Sequence, residues 1–220
     1  MFRDRKINLS PFVRLYFVTL VVFFYSSSCF TSERGDDVYD RMVDAYNKIT
    51  DYHDNGFVDV QYNRYGNIGN VRRLIEFKTK YKSNGGFSFE WKKHLSNLSH
   101  KIERKKGVIT FYSNGKSKVE SNLNIALGRY SGVTEGSSYL IPVFLLKDIA
   151  LFDKEKISNI SVEDVSGDEG SRYKLTIDFK TSSKNIFWLN KKYFIIKHTS
   201  QLKIRDGVHV ITTTSIKIKK

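Results

Sequence analysis

The chain has 220 residues, with 37 lysines and arginines against 23 aspartates and glutamates, giving a formal charge of +14. That length suits one sizeable domain or at most two small ones, and a 40% hydrophobic content with only two prolines excludes a collagenous, proline-rich or disordered chain. A single cysteine excludes an intramolecular disulfide framework and any multi-cysteine zinc site.

Arg3, Arg5, Lys6 and Arg14 stand against Asp4 at the start, Leu15 to Tyr25 is apolar except for Thr19, and Ser26, Ser27, Ser28 and Cys29 follow. A basic head, a short apolar run and small residues at the exit form the layout of a secretory signal peptide. The run is shorter than the roughly 20 residues that a membrane-spanning helix needs; an uncleaved signal anchor is the alternative. The expected division is a cleaved signal peptide over 1–28 and a folded domain over 33–220, exported to the periplasm or anchored in the cell envelope through Cys29. Cys29 has two readings. It resembles the lipidated first residue of a bacterial lipoprotein box, where Ser27 and Ser28 suit the preceding positions and Ser26 departs from the usual aliphatic residue. The other reading is an incidental cysteine beside an ordinary cleavage site.

Asp36 or Asp37 is placed to cap a helix running to about Ile49, with Val38, Met42, Val43, Tyr46 and Ile49 on one face and acids in its first turns. His53, Asp54, Asn55 and Gly56 are expected to end that element. The period then changes to two. Phe57 to Tyr62, Ile75 to Tyr81, Phe87 to Trp91, Ile102 to Lys105 and Val108 to Tyr112 read as strands. Between them lie turn residues at Asn67–Gly69–Asn70, Ser83–Gly86, Lys106–Gly107 and Ser113–Lys116. Leu123, Ile125, Ala126, Leu127 and Tyr130 predict a short helix. The nearly all-apolar run Tyr139 to Leu146 contains Pro142, which is excluded from a central strand but suits a helix's first turn, so a second helix is expected from Ser138 or Ile141 to Ile149. Strands return over Ile157–Val165, Tyr173–Phe179, Asn185–Asn190, Tyr193–Leu202 and Val208–Ile218. The expected class is α+β: one antiparallel sheet, curled into a partial barrel, with an N-terminal helix and short covering helices.

Catalytic signatures do not emerge. No Gly-x-Ser-x-Gly elbow occurs, and Gly115-Lys116-Ser117 has Thr110 where a phosphate loop needs its first glycine. Glu163 and Asp164 are adjacent and face opposite sides of a strand. His198 and His209 fall on neighbouring strands and are placed to meet across a hairpin, although a solvated pair is favoured over a metal site. No enzyme activity, metal or cofactor is expected. The basic clusters Lys92-Lys93, Arg104-Lys105-Lys106, Lys191-Lys192 and Lys217 to Lys220 read as a solvated outer sheet face. An exported chain argues against nucleic acid and makes an anionic membrane surface the better basic-face partner.

The order of segments resembles the outer-membrane lipoprotein carrier and sorting superfamily, the LolA/LolB-like proteins, over about residues 36–218. The resemblance rests on Tyr46, Ile49 and Tyr52 before Gly56-Phe57-Val58-Asp59-Val60; on Phe87-Ser88-Phe89-Glu90-Trp91; on Phe111-Tyr112-Ser113-Asn114-Gly115-Lys116; on Gly132-Val133-Thr134 with Gly136-Ser137, Ile141-Pro142 and Leu145-Leu146; and on Phe187-Trp188-Leu189-Asn190 through Ile196, where Asn190 replaces an acid. It implies a half-open barrel whose helices cover an apolar concavity holding acyl chains of a lipid or lipoprotein. The ligand-binding expectation falls on Leu123, Leu127, Leu140, Ile141, Val143, Phe144 and Leu145 in the cover, and on Phe87, Phe89 and Trp91 in the sheet. The alternative is the same fold with a filled core, serving as an envelope interaction protein with an unspecified partner.

Overall fold

The computed structural model describes residues 34–64, 67–69, 75–146, 154–165, 170–181, 183–205 and 208–219. The leader, Cys29, Ile149 and the turns at Gly167–Glu169 and Asp206–Gly207 lie outside the described residues.

Helix α1 (Gly35–Asn47) buries Val38, Met42 and Tyr46 of the predicted face and Tyr39 besides, while Val43 is half-buried and Ile49 lies beyond the helix end. Its start differs from expectation. Arg34 is the cap residue, without a side-chain cap hydrogen bond, and Asp36 and Asp37 sit inside the first turn, where they still complement the helix dipole.

The next element corrects the sequence reading more sharply. His53 to Gly56 do not end the helix but belong to strand β1 (Asp51–Arg64). Asp54 is tolerated there because one carboxylate oxygen accepts the Tyr52 hydroxyl at 2.9 Å and the other the Thr79 backbone N–H at 2.8 Å. A buried acid with both oxygens hydrogen-bonded is compatible with a sheet interior.

Asn67–Gly69, read as a turn, forms the short β2 that folds back on β1. There follow β3 (Ile75–Lys82), β4 (Gly86–Lys93), β5 (Ser99–Lys105) and β6 (Val108–Ser113). Positive φ at Gly85 marks the β3–β4 hairpin and at Lys106 and Gly107 the β5–β6 hairpin, while Asn114 and Gly115 turn β6 into the next strand. Strand β7 (Lys116–Glu120) was not expected, since only Val119 among its residues is a strong strand former.

Helix α2 (Leu123–Ser131) is capped by Asn122, whose side chain accepts from the N–H groups of Asn124 and Ile125. The apolar run beyond it forms two single turns, α3 (Ser137–Leu140) and α4 (Pro142–Leu145), instead of one helix. Pro142 opens α4 as expected, and its lack of an N–H breaks the continuity with α3. A 3₁₀ turn at Lys154–Lys156 leads into β8 (Ile157–Asp164), β9 (Tyr173–Phe179), β10 (Ser183–Leu189), β11 (Ile195–Arg205) and β12 (Val208–Ile218). Tyr193 lies in the turn before β11, at φ 63°, not in the strand.

All strands join one antiparallel sheet in the order β7-β6-β5-β4-β3-β1-β12-β11-β10-β9-β8, with β2 attached to β1. The end strands β7 and β8 do not pair with each other, so the sheet curves into a half-barrel that stays open. Its centre is the pairing of β1 with β12, from Asp54↔Ile218 to Arg64↔Val208. Helix α1 packs on β8, β9 and α4. At Gly35 an added Cβ would lie 2.6 Å from the Ile160 carbonyl oxygen, so the helix start sits directly against β8.

Candidate functional site

Side chains alternate along every strand, so the register defines the inner face. Phe77, Phe89, Ile102 and Phe111 from β3 to β6 share it, as do Val58, Thr214, His198, Phe187 and Leu175 from β1 across to β9. The helices cover this face.

All ten residues predicted from sequence meet in one hydrophobic cluster. Phe87, Phe89 and Trp91 are the inward set of β4, Leu123 and Leu127 form the buried face of α2, and Leu140, Ile141, Val143, Phe144 and Leu145 come from the two short turns. Even the most open of them, Val143, is only 8% exposed. Over β4 to β6 the cover is tight. The Tyr130 ring stacks 4.1 Å from Phe111 and lies 5.5 Å from Trp91, and Phe77, Phe89 and Trp91 form a row of aromatic contacts. The Tyr46 ring of α1 stacks on Phe144 at 5.4 Å, tying α4 to the N-terminal helix.

Over β10 to β12 the cover stands off. A cleft of about 450 Å³ opens there, within the range of small-ligand sites. Its wall is Tyr139, Leu140 and Val143; its floor is Asn185, His198, Ser200, Thr212 and Thr214. The wall is held by hydrogen bonds to α2: Ser138 Oγ donates to the Leu127 carbonyl at 3.1 Å, and Tyr139 Oη donates to the Asn124 carbonyl at 2.8 Å. Glu135, at the rim, carries the sole formal charge among the described lining residues. Thr214 is 1% exposed, and its hydroxyl makes no hydrogen bond among the described residues.

His198 is neutral in this setting. Its Nε2 lies 2.8 Å from Asn185 Oδ1, its ring rests on Phe187 at 4.7 Å, and burial pulls its pKa down to about 3. It does not meet His209. The register sets His198 opposite Thr214 and His209 opposite Lys203, so the expected cross-strand pair does not form. Among the described residues no group of three or more His, Cys, Asp and Glu is arranged to hold a metal.

The polar floor was missed by sequence reading, although it left a signal. Ser200, Thr212 and Thr214 stand at the inward parity of β11 and β12, where an ordinary core strand has apolar residues. Each taken alone passes as a strand-compatible residue.

Two buried titrating groups oppose each other. Asp54 is pushed up to about 6 by burial, partly offset by its hydrogen bonds from Thr79 and Tyr52. A raised carboxyl favours the folded state below its ordinary 3.8, and that contribution is lost as pH rises through 6. His198, depressed below its ordinary 6.5, contributes stability above pH 6.5 that is lost progressively toward pH 3. Urea unfolding of the parent, Asp54→Asn and His198→Gln between pH 4 and 8 separates the two. The parent is expected to lose ground to Asp54→Asn as pH rises through 6, by roughly 3 kcal/mol in all. It is expected to lose ground to His198→Gln as pH falls below 6.5, at about 1.4 kcal/mol per pH unit. Parallel profiles for all three proteins would contradict both assignments.

No family model matches the sequence, and no curated protein does. Solved structures do. A DUF1329 family protein from Desulfovibrio piger aligns at 13% identity over 84% of this chain and 92% of that chain, with a TM-score of 0.34. An outer membrane lipoprotein-sorting protein domain from Vibrio parahaemolyticus aligns at 12% identity over 85% and 92%, with a TM-score of 0.33. A LolA superfamily protein from Nitrosomonas europaea aligns at 11% identity over 86% and 95%, with a TM-score of 0.35.

Proposed function

We propose that the chain is an exported, non-catalytic protein of the cell envelope that holds an apolar ligand, such as a lipid or lipoprotein acyl chain, on the inner face of its half-barrel. The observation that carries this reading is the cleft under α3 and α4, apolar on its wall and hydroxyl-rich on its floor. Such a cleft suits a single chain lying against Leu140 and Val143, with an uncharged ester, amide or hydroxyl group on Ser200, Thr212 and Thr214. Of the predicted contacts, Leu140 and Val143 line the cleft directly. Leu123, Leu127, Ile141, Phe144, Leu145, Phe87, Phe89 and Trp91 would meet a ligand only if the covering segment from α2 to α4 were displaced. Lipidation at Cys29 belongs to the same proposal and would keep the domain beside its lipid source. No helix among the described residues is long and apolar enough to cross a membrane.

Burial of those eight residues favours a second reading, the same fold with a filled core acting as an envelope interaction protein. Native mass spectrometry of protein expressed with its own leader, followed by organic extraction, separates the two. Acyl mass on a chain beginning at Cys29 is expected, together with a separate, extractable lipid. A clean mass after incubation with an acylated peptide would remove the ligand reading and leave the filled core.

A further inference from the structure

The outer face of the sheet carries a second concavity, on the opposite side from the cleft. A groove of about 680 Å³ runs across β1, β12, β11 and β10, lined among others by Asn55, Phe57, Trp188, Asn190, Lys197 and Lys217. The register makes this a continuous outer row, with Phe57 opposite Ser215, Ser215 opposite Lys197 and Lys197 opposite Trp188. Phe57 is 48% exposed, an unusual place for a large apolar side chain at the centre of a sheet. Lys197 Nζ sits 4.8 Å from the centre of the Trp188 ring, and Lys217 stands beside Phe57, across from Asn55. No carboxylate lines the groove itself; Glu76, opposite Phe57 on β3, is paired with Lys92 at 2.8 Å, and among the described residues neither Lys197 nor Lys217 forms an ion pair.

Aromatic rings between unpaired lysines, on a broad outer strand face, match the layered chemistry of a lipid headgroup region. Rings enter the apolar boundary there, while ammonium groups extend on their stems to phosphates. We propose that this face seats the protein on an anionic membrane surface, with Phe57 and Trp188 in the headgroup layer and Lys197 and Lys217 on the lipid phosphates. The proposal is independent of what the inner cleft holds.

The test is co-sedimentation with vesicles, using the chain from Arg34 onward, a compact unit with its own hydrophobic core cluster. Vesicles of phosphatidylcholine alone are compared with vesicles containing about a third phosphatidylglycerol, at low and high salt. Binding is expected only to the anionic vesicles, weakening as salt rises. Lys197→Glu with Lys217→Glu should weaken it by at least about 25-fold, at roughly fivefold per lysine removed. Phe57→Ser should weaken it severalfold at any salt. Lys105→Glu with Lys116→Glu makes the same change in net charge at the exposed hairpins of the far edge, several strands away, and should lower binding much less. Circular dichroism checks that each variant is folded. Equal binding to both vesicle types, or an equal loss in the two charge-reversal pairs, would overturn the proposal.

Discussion

Tyr46→Ala is expected to cost about 3–5 kcal/mol of stability, on the scale of other large aromatic truncations in cores. Tyr46 is 1% exposed and holds three parts of the chain together. Its ring meets Tyr52 of β1 at 5.9 Å, Phe144 of α4 at 5.4 Å and Phe194, just before β11, at 5.3 Å. Its hydroxyl accepts the backbone N–H of Ile195 at 3.1 Å, next to a register shift between Trp188 and Leu189. Burial pushes the phenol well above its ordinary value, so it stays protonated. Tyr46→Phe keeps the ring but strands that N–H and loses the hydroxyl's interaction with Tyr52, so its expected cost is about 1–3 kcal/mol. Urea midpoints of the two variants give the comparison. A cost below about 1 kcal/mol for the alanine would mean that α1 does not clamp the cover in this way.

Gly56→Ala should cost nearly as much for the opposite reason, overpacking. Gly56 lies mid-strand between β3 and β12, opposite Phe77 on one side and Ile216 on the other. An added Cβ would lie 2.7 Å from Cε1 of the Phe77 ring and would also collide with the Ser215 carbonyl of β12. The ring can turn aside, but the carbonyl is part of the central ladder and cannot. The expected loss lies at the upper end of the roughly 1–3 kcal/mol typical of overpacked sites. Gly86→Ala is the control, because its Cβ would find only ordinary contact, 3.6 Å from Lys82 Cβ. Gly86→Ala should leave the melting temperature nearly unchanged while Gly56→Ala lowers it by several degrees; equal melting temperatures would show that the central strands yield to the methyl group.

Much of this fold is legible in the sequence because its strands obey period two. Phe87-Ser88-Phe89-Glu90-Trp91 alternates strictly and buries each aromatic; Tyr173–Phe179 and Val208–Ile218 have the boundaries read from turn residues and β-branched runs. The failures share a cause: tertiary partners satisfy residues that look like breakers. Asp54 and Gly56 look like the end of a helix until the Thr79 N–H and the Phe77 ring are placed beside them. Lys116–Glu120 becomes a strand only because β6 supplies its ladder. The candidate site was half legible. Apolar density from Leu140 to Leu145 marked the cover, while the floor, made of hydroxyls at core-facing positions, is visible only once β10, β11 and β12 are in register.

The pairing of β1 with β12 also bears on how the chain acquires this shape. On one side, β3 to β7 are successive hairpins; on the other, β8 to β11 are as well, so each half-sheet closes only short loops. The seam between the halves joins Asp54 to Ile218, nearly the whole domain apart in sequence, and its closure carries the largest loop entropy in the molecule. A chain emerging from a ribosome or an export channel can therefore assemble both halves early and still lack its central seam until the last strand is free. Until then the long strand β1 presents an unpaired edge at the middle of the future sheet, which makes this interval the one in which a chaperone has most to protect.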